Sequence, residues 1–191
     1  GRTALMGAAH HGHERVVELL LRRGAKVNLQ DSEGWTALMR AAHQGHERIV
    51  DLLIRRGAEV NLQSSDGSTA LMLAAQEGHE RVVEMLLRHS AEVNLQDSDG
   101  ATALMGAAQE GRERLVDLLL QRGAEVNLQN SDGDTALMGT ALYGHERVVD
   151  LLMRRGADVN LQYSDGVTAL MIAAGHGHER LVDLLIRHGA A

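Results

Sequence analysis

The chain of 191 residues has no cysteine, no proline and no phenylalanine. The missing cysteine rules out disulfides, thiol nucleophiles and thiolate metal sites, and is compatible with the cytoplasm or another reducing compartment. Aromatic residues make up 2% of the chain, so a core has to come from Leu, Val, Ile, Met and Ala. Such side chains suit thin helical layers in close contact and suit a large globular centre poorly. Positive charge is short as well: the net charge is −7 and the pI about 5.9. Nucleic acid and anionic membranes need a cationic surface, so neither is expected as the main partner. No apolar run approaches the length of a membrane-spanning helix. The first residues, Gly1-Arg2-Thr3, read as part of a repeat rather than of a signal peptide.

What the chain does have is one short phrase, over and over. Gly34 to Ala42 reads GWTALMRAA, and variants of it begin at Gly1, Gly34, Gly67, Gly100, Gly133 and Gly166. The period of about 33 residues signals stacked structural repeats. Each variant is followed by Gly-His-Glu-Arg (Arg112 replaces His once), a Val/Leu-rich run, and Gly-Ala-x-Val-Asn-Leu-Gln. The expected organisation is one array over 1–191 with units 1–33, 34–66, 67–99, 100–132, 133–165 and 166–191.

The second unit serves as specimen. Thr36 is placed to cap a helix, its hydroxyl accepting from an otherwise unpaired N–H. Leu38, Met39, Ala41 and Ala42 follow at helical spacing and Gly45 ends the segment. A second helix begins near Glu47, with Ile49, Val50, Leu52, Leu53 and Ile54 as its apolar stripe. Arg55 and Arg56 complement its dipole, and Gly57 supplies a left-handed stop. Glu59 to Gly67 is polar and predicts an extended or hairpin-like loop. Two short helices cannot bury both apolar faces alone, and stacking on neighbours buries them.

The frame G-x-T-A-L-M-x-A-A-x-x-G-H-E-R-V-V-x-L-L-x-R-R-G-A-x-V-N-L-Q closely resembles the ankyrin repeat across the whole chain. The resemblance implies an all-α solenoid of helix–turn–helix units with protruding β-hairpin-like loops. It also implies recognition of another protein or peptide through a concave groove lined by the loop tips and first helices. One departure stands out: the family's Thr-Pro-Leu-His is Thr-Ala-Leu-Met here. Losing Pro removes some pre-organisation of the helix start. Exchanging His for Met trades a polar link between repeats for a flexible apolar contact. Ser90 takes the place of a left-handed Gly, and Thr140 the place of a buried Ala, crowding its helix. By the resemblance only, Asn61, Asn94, Asn127 and Asn160 fit a context recognised by asparaginyl hydroxylases; an Asn that orders the loop backbone explains their recurrence without modification. A constant framework without Pro or Cys favours an engineered scaffold. Conservative scatter at Ile49, Met85, Ser90 and Arg112 favours natural duplication, and both origins stay open.

The slots that change from copy to copy separate from the framework. They follow the opening Gly (Arg2, Trp35, Ser68, Ala101, Asp134, Val167), follow Met (Gly7, Arg40, Leu73, Gly106, Gly139, Ile172), end the first helix, or sit in the loop (Asp31, Ser64, Asp97, Asn130, Tyr163). All three aromatic residues, Trp35, Tyr143 and Tyr163, fall in such slots, and aromatics and Arg are the usual anchors of interfaces. The expected partner-binding residues form three zones. The first is Arg2, His10, His11, Trp35, Arg40 and His43. The second is Leu73, Gln76 and Glu77 within a small, polar, acidic stretch. The third is Asp134, Leu142, Tyr143, Tyr163, Val167, Ile172 and His176.

Other chemistries fit less well. No nucleophile stands beside a base and no Gly-rich phosphate loop follows a strand, so no enzyme and no cofactor are expected. His10 and His11 diverge on a helix, no two His stand four residues apart, and no metal is expected. The Gly-His histidines (His13, His46, His79, His145, His178) and the arginine row ending each second helix read as structural. The terminal units lack the polar outer face that arrays normally carry, which points to a segment of a longer array or to end-to-end stacking on other copies.

Overall fold

Each first helix starts on the same device. Thr36 lies in extended backbone and its hydroxyl accepts the Met39 N–H at 3.2 Å. The Met39 sulfur returns the favour weakly, accepting the Thr36 N–H at 3.4 Å. The same reciprocal cap closes at Thr3 and Thr69. Sulfur is a weak acceptor, but here it points at an orphan N–H of its own unit; the contact is separate from the link between units that the exchange of His for Met is expected to lose. Gly45 then ends the helix at φ 75°, where a Cβ would lie 2.5 Å from the His79 ring. Both conformation and space demand glycine there.

The computed structural model describes residues 1–191 and contains twelve helices in six pairs. They are α1 (Ala4–His10) with α2 (Glu14–Arg22), α3 (Ala37–Gln44) with α4 (Glu47–Arg55), and α5 (Ala70–Glu77) with α6 (Glu80–Arg88). There follow α7 (Ala103–Gln109) with α8 (Glu113–Gln121), α9 (Ala136–Tyr143) with α10 (Glu146–Arg154), and α11 (Ala169–Gly175) with α12 (Glu179–Arg187). No helix is long and apolar enough to cross a membrane. The loops fold back on themselves, as where the Asp31 N–H donates to the Trp35 carbonyl at 3.1 Å, yet they form no strand. A single bridge joins Gln162 and Thr168.

One continuous core runs through all six pairs. Each junction is small-sided on the first helices, where Ala41, Ala42, Ala74 and Ala75 are fully buried, and branched on the second, where Val50, Leu53, Val83 and Leu86 are. Burying each Leu side chain is worth roughly 1.5–3 kcal/mol. Polar ladders cross the same junctions. The His46 ring pairs with the His10 carbonyl at 3.0 Å, and His79, His145 and His178 repeat the bond with His43, Gln109 and Leu142. Asn61 donates to the Ser90 carbonyl and accepts the Glu92 N–H, so its amide ties one loop to the next. The arginines at the ends of second helices pair with acids one turn back, as in Arg55–Asp51 and Arg154–Asp150.

The two framework exceptions leave marks. Ser90 holds φ 65°, the left-handed region, at a cost of roughly 1 kcal/mol. Thr140 is fully buried and turns its hydroxyl onto the Ala136 carbonyl at 2.6 Å. The backbone bond from His145 to the Thr140 carbonyl stretches to 3.3 Å, against 3.0 Å for its counterpart from His46 to Ala41.

Candidate functional site

The first helices pack on one another more closely than the second helices do. A stack whose two rows have unequal spacing bends toward the tighter row. The first helices and the loops that lead into them therefore lie on the inner side of the bend. None of the candidate binding residues is buried; Arg2, His11, Gln76, Glu77, Leu142, Tyr143 and His176 are exposed and the others half-buried.

At the N-terminal end the structure joins Trp35 and Arg40 to a third residue, Asp31. The Arg40 guanidinium donates to Asp31 Oδ2 at 2.8 Å and lies 4.3 Å from the centre of the Trp35 ring. Asp31 Oδ1 accepts the N–H groups of Glu33 and Trp35, each at 3.0 Å. Burial alone would raise the Asp31 carboxyl, but Arg40 and these two N–H groups outweigh it and hold the carboxyl below its ordinary value. Arg40 is thus not a free cation awaiting a partner: its side chain is 17% exposed and already paired. His43 packs edge-on against Trp35, at 5.7 Å, and stands 3.7 Å from Glu77. His10 is depressed by burial first, and then by the charges of Arg2, His11, Arg40 and His43.

The middle of the inner face holds a cavity of about 210 Å³. Met72, Leu73 and Met105 give it apolar walls; Gln76, Gln109 and Asn130 give it amides, and Asp97 and Asp134 give it carboxylates. Asp97 Oδ1 accepts the N–H groups of Asp99 and Ala101, while its Oδ2 has no bond and no ion pair. Asp134 Oδ1 is buried without any hydrogen-bond partner. Burial raises the Asp134 carboxyl above its ordinary value and the Asp132 charge adds to this, with only partial relief from the Tyr163 hydroxyl and the Thr135 N–H. Tyr163 is pushed up to about 12 by burial and then by Asp134. A buried acceptor left unpaired costs roughly 1–3 kcal/mol, so this carboxylate is held at a loss.

Toward the C-terminal end, Leu142 and Tyr143 are exposed, and Tyr143 stacks at 6.2 Å on His145. Val167 and Ile172, in the next unit, are half-buried, and His176 stacks on His178 at 6.1 Å. Sequence reading passed over Asp97, Gly106 and Asn130 as site residues, although each occupies a slot that varies between copies. Their neighbourhood becomes visible only when the loop of one pair is placed over the first helix of the next.

The family model described as "Ankyrin repeats (3 copies)" matches residues 1–64, 53–130 and 107–191. No curated protein matches the chain. The paired helices, the stacked core and a match that spans the sequence agree, and the chain belongs to the ankyrin repeat family.

Proposed function

We propose that this chain is a single array of six repeats that binds another protein or peptide on its inner face, without catalysis. Ankyrin repeats are in general protein–protein interaction modules. The observation that supports the reading is that Trp35, Tyr143 and Tyr163 all lie in first-helix or loop positions, as does the cavity, while the second helices carry no aromatic residue. The exposed Arg2 and His11, in no ion pair, suit an acidic group of the partner, and the exposed Leu142–Tyr143 pair suits an apolar one. Alanine at Trp35 and at Tyr143 each weakens binding by more than about 1 kcal/mol, roughly fivefold in affinity. Proteins captured on the immobilised chain, then titrated calorimetrically against wild type and both variants, provide the check. Unchanged affinity in both variants sinks the inner-face reading.

A second reading rests on the outer units. Val16 is 46% exposed where its counterpart Ile49 is 1% exposed, and Met171 is 55% exposed where Met39 is 1% exposed. These bare faces are the two halves of an internal junction, so copies of the chain can stack head to tail in a contact that need not close. Light scattering over a concentration series decides: apparent mass that climbs with concentration supports stacking, and a constant monomer mass refutes it.

A further inference from the structure

The molecule carries its own picture of what fills its central cavity. At the junction of the first two units, the loop acid Asp31 is met by Arg40, nine positions later, and Trp35 covers the guanidinium. Two units further on, the loop acid recurs as Asp97, and its Oδ1 makes the same pair of turn bonds, to Asp99 and Ala101. The cation does not recur. Gly106 stands nine positions after Asp97, and Ala101 stands where Trp35 was. The space that Arg40 occupies in one junction is left open in the other as the cavity of about 210 Å³. No Lys, Arg or His lines it.

A second observation points the same way. Asp134, which also lines the cavity, takes bonds from the Tyr163 hydroxyl and the Thr135 N–H, but its Oδ1 is buried and bonded to nothing. Asp97 and Asp134 are therefore two carboxylates lining one volume with no cation between them. We infer that this cavity receives an arginine side chain of the partner, its guanidinium shared by Asp97 and Asp134. Rotation of the Asp134 carboxylate about its last side-chain bond presents Oδ1 to the ligand. The planar fork of arginine offers donors to two carboxylates at once, which the point charge of lysine does not. Met72 and Met105 take the apolar stem, and the side-chain carbonyls of Gln76 and Gln109 supply further acceptors.

The inference deepens the proposed inner-face binding but is tested without the partner. The probe is N-acetyl-arginine amide, titrated into the isotope-labelled chain while backbone amide resonances are followed by NMR. Saturable shifts at Ala101, Gly106 and Asp134 are expected, with N-acetyl-lysine amide weaker by about fivefold or more. Asp97→Asn and Asp134→Asn each weaken the arginine probe by a similar factor. Asp97→Asn keeps the turn, because Asn130 already makes the same bonds in the next loop. Gly106→Arg rebuilds the internal pair on Asp97 and abolishes the response to the probe. A Cβ at Gly106 meets nothing nearer than Gln76 at 3.6 Å, so that variant folds. Equal shifts with lysine and arginine probes, no saturable shift, or an unchanged response in both Asn variants overturns the inference. Because the probe replaces the partner, its failure leaves the effects of Trp35→Ala and Tyr143→Ala on partner binding as a separate result.

Discussion

Leu86→Ala is expected to remove about 2–5 kcal/mol of stability. Leu86 is fully buried on α6, in the third helix pair. Its loss leaves a cavity in a unit already strained at Ser90. Each pair packs only on its neighbours, so the deficit stays local instead of being spread over the whole array. Urea denaturation followed by circular dichroism should therefore lose its single transition and show two, with the outer blocks on each side melting apart. Leu185→Ala removes the same atoms from α12, the last helix. It should advance melting of the terminal pair and leave the main transition in place. A single shared transition in the Leu86 variant contradicts nearest-neighbour stability in this chain.

Asp31→Ala carries the other large effect. It deletes two turn bonds and the ion pair with Arg40 in one step. Breaking a buried pair by removing one partner costs about 3–5 kcal/mol, because the remaining charge is stranded. Asp31 is 5% exposed, but Arg40 keeps Glu33 within 3.5 Å, which places the expected loss at the low end, about 3 kcal/mol. The pH dependence has a definite sign. The folded Asp31 carboxyl sits below its ordinary value of 3.8. Its stabilisation is full above that ordinary value and is lost as pH falls through the lowered one. Thermal melts of wild type and variant should differ most near neutrality and converge in acid. Asp134 has the opposite sign, since its carboxyl is raised: ionisation there opposes folding at neutral pH and is relieved in acid.

The fold was legible because the sequence states it six times. A residue that packs between units has to recur at the period, so Thr36, Leu38, Met39, Ala41 and Ala42 identify themselves as framework by repetition. The same logic exposed Ser90, whose left-handed backbone follows from its five glycine counterparts. The candidate site was legible only as a set of slots. Variation marked Trp35, Arg40 and Asp134 as belonging to the inner face, but variation cannot tell a paired side chain from a free one. Arg40 looked available because its partner lies nine residues back, in the loop of the preceding unit. Asp134 stands out in the sequence as a varying slot, but the missing donor at its Oδ1 is a fact of geometry. The sulfur cap at Thr36 was hidden for a similar reason: Met was weighed as an apolar side chain, and the direction of its sulfur is set by the helix turn.

The ladders that tie one unit to the next set a limit on how far apart in the chain two bonded groups can be. The most distant hydrogen-bonded pair, Arg155 with Asp117, is separated by 38 residues. Nothing in the molecule waits for its far end. Chains whose contacts are local fold fast, because little loop entropy is spent before a contact is made. During synthesis, each unit can close on its predecessor as soon as both have emerged, and the order of assembly follows the order of translation.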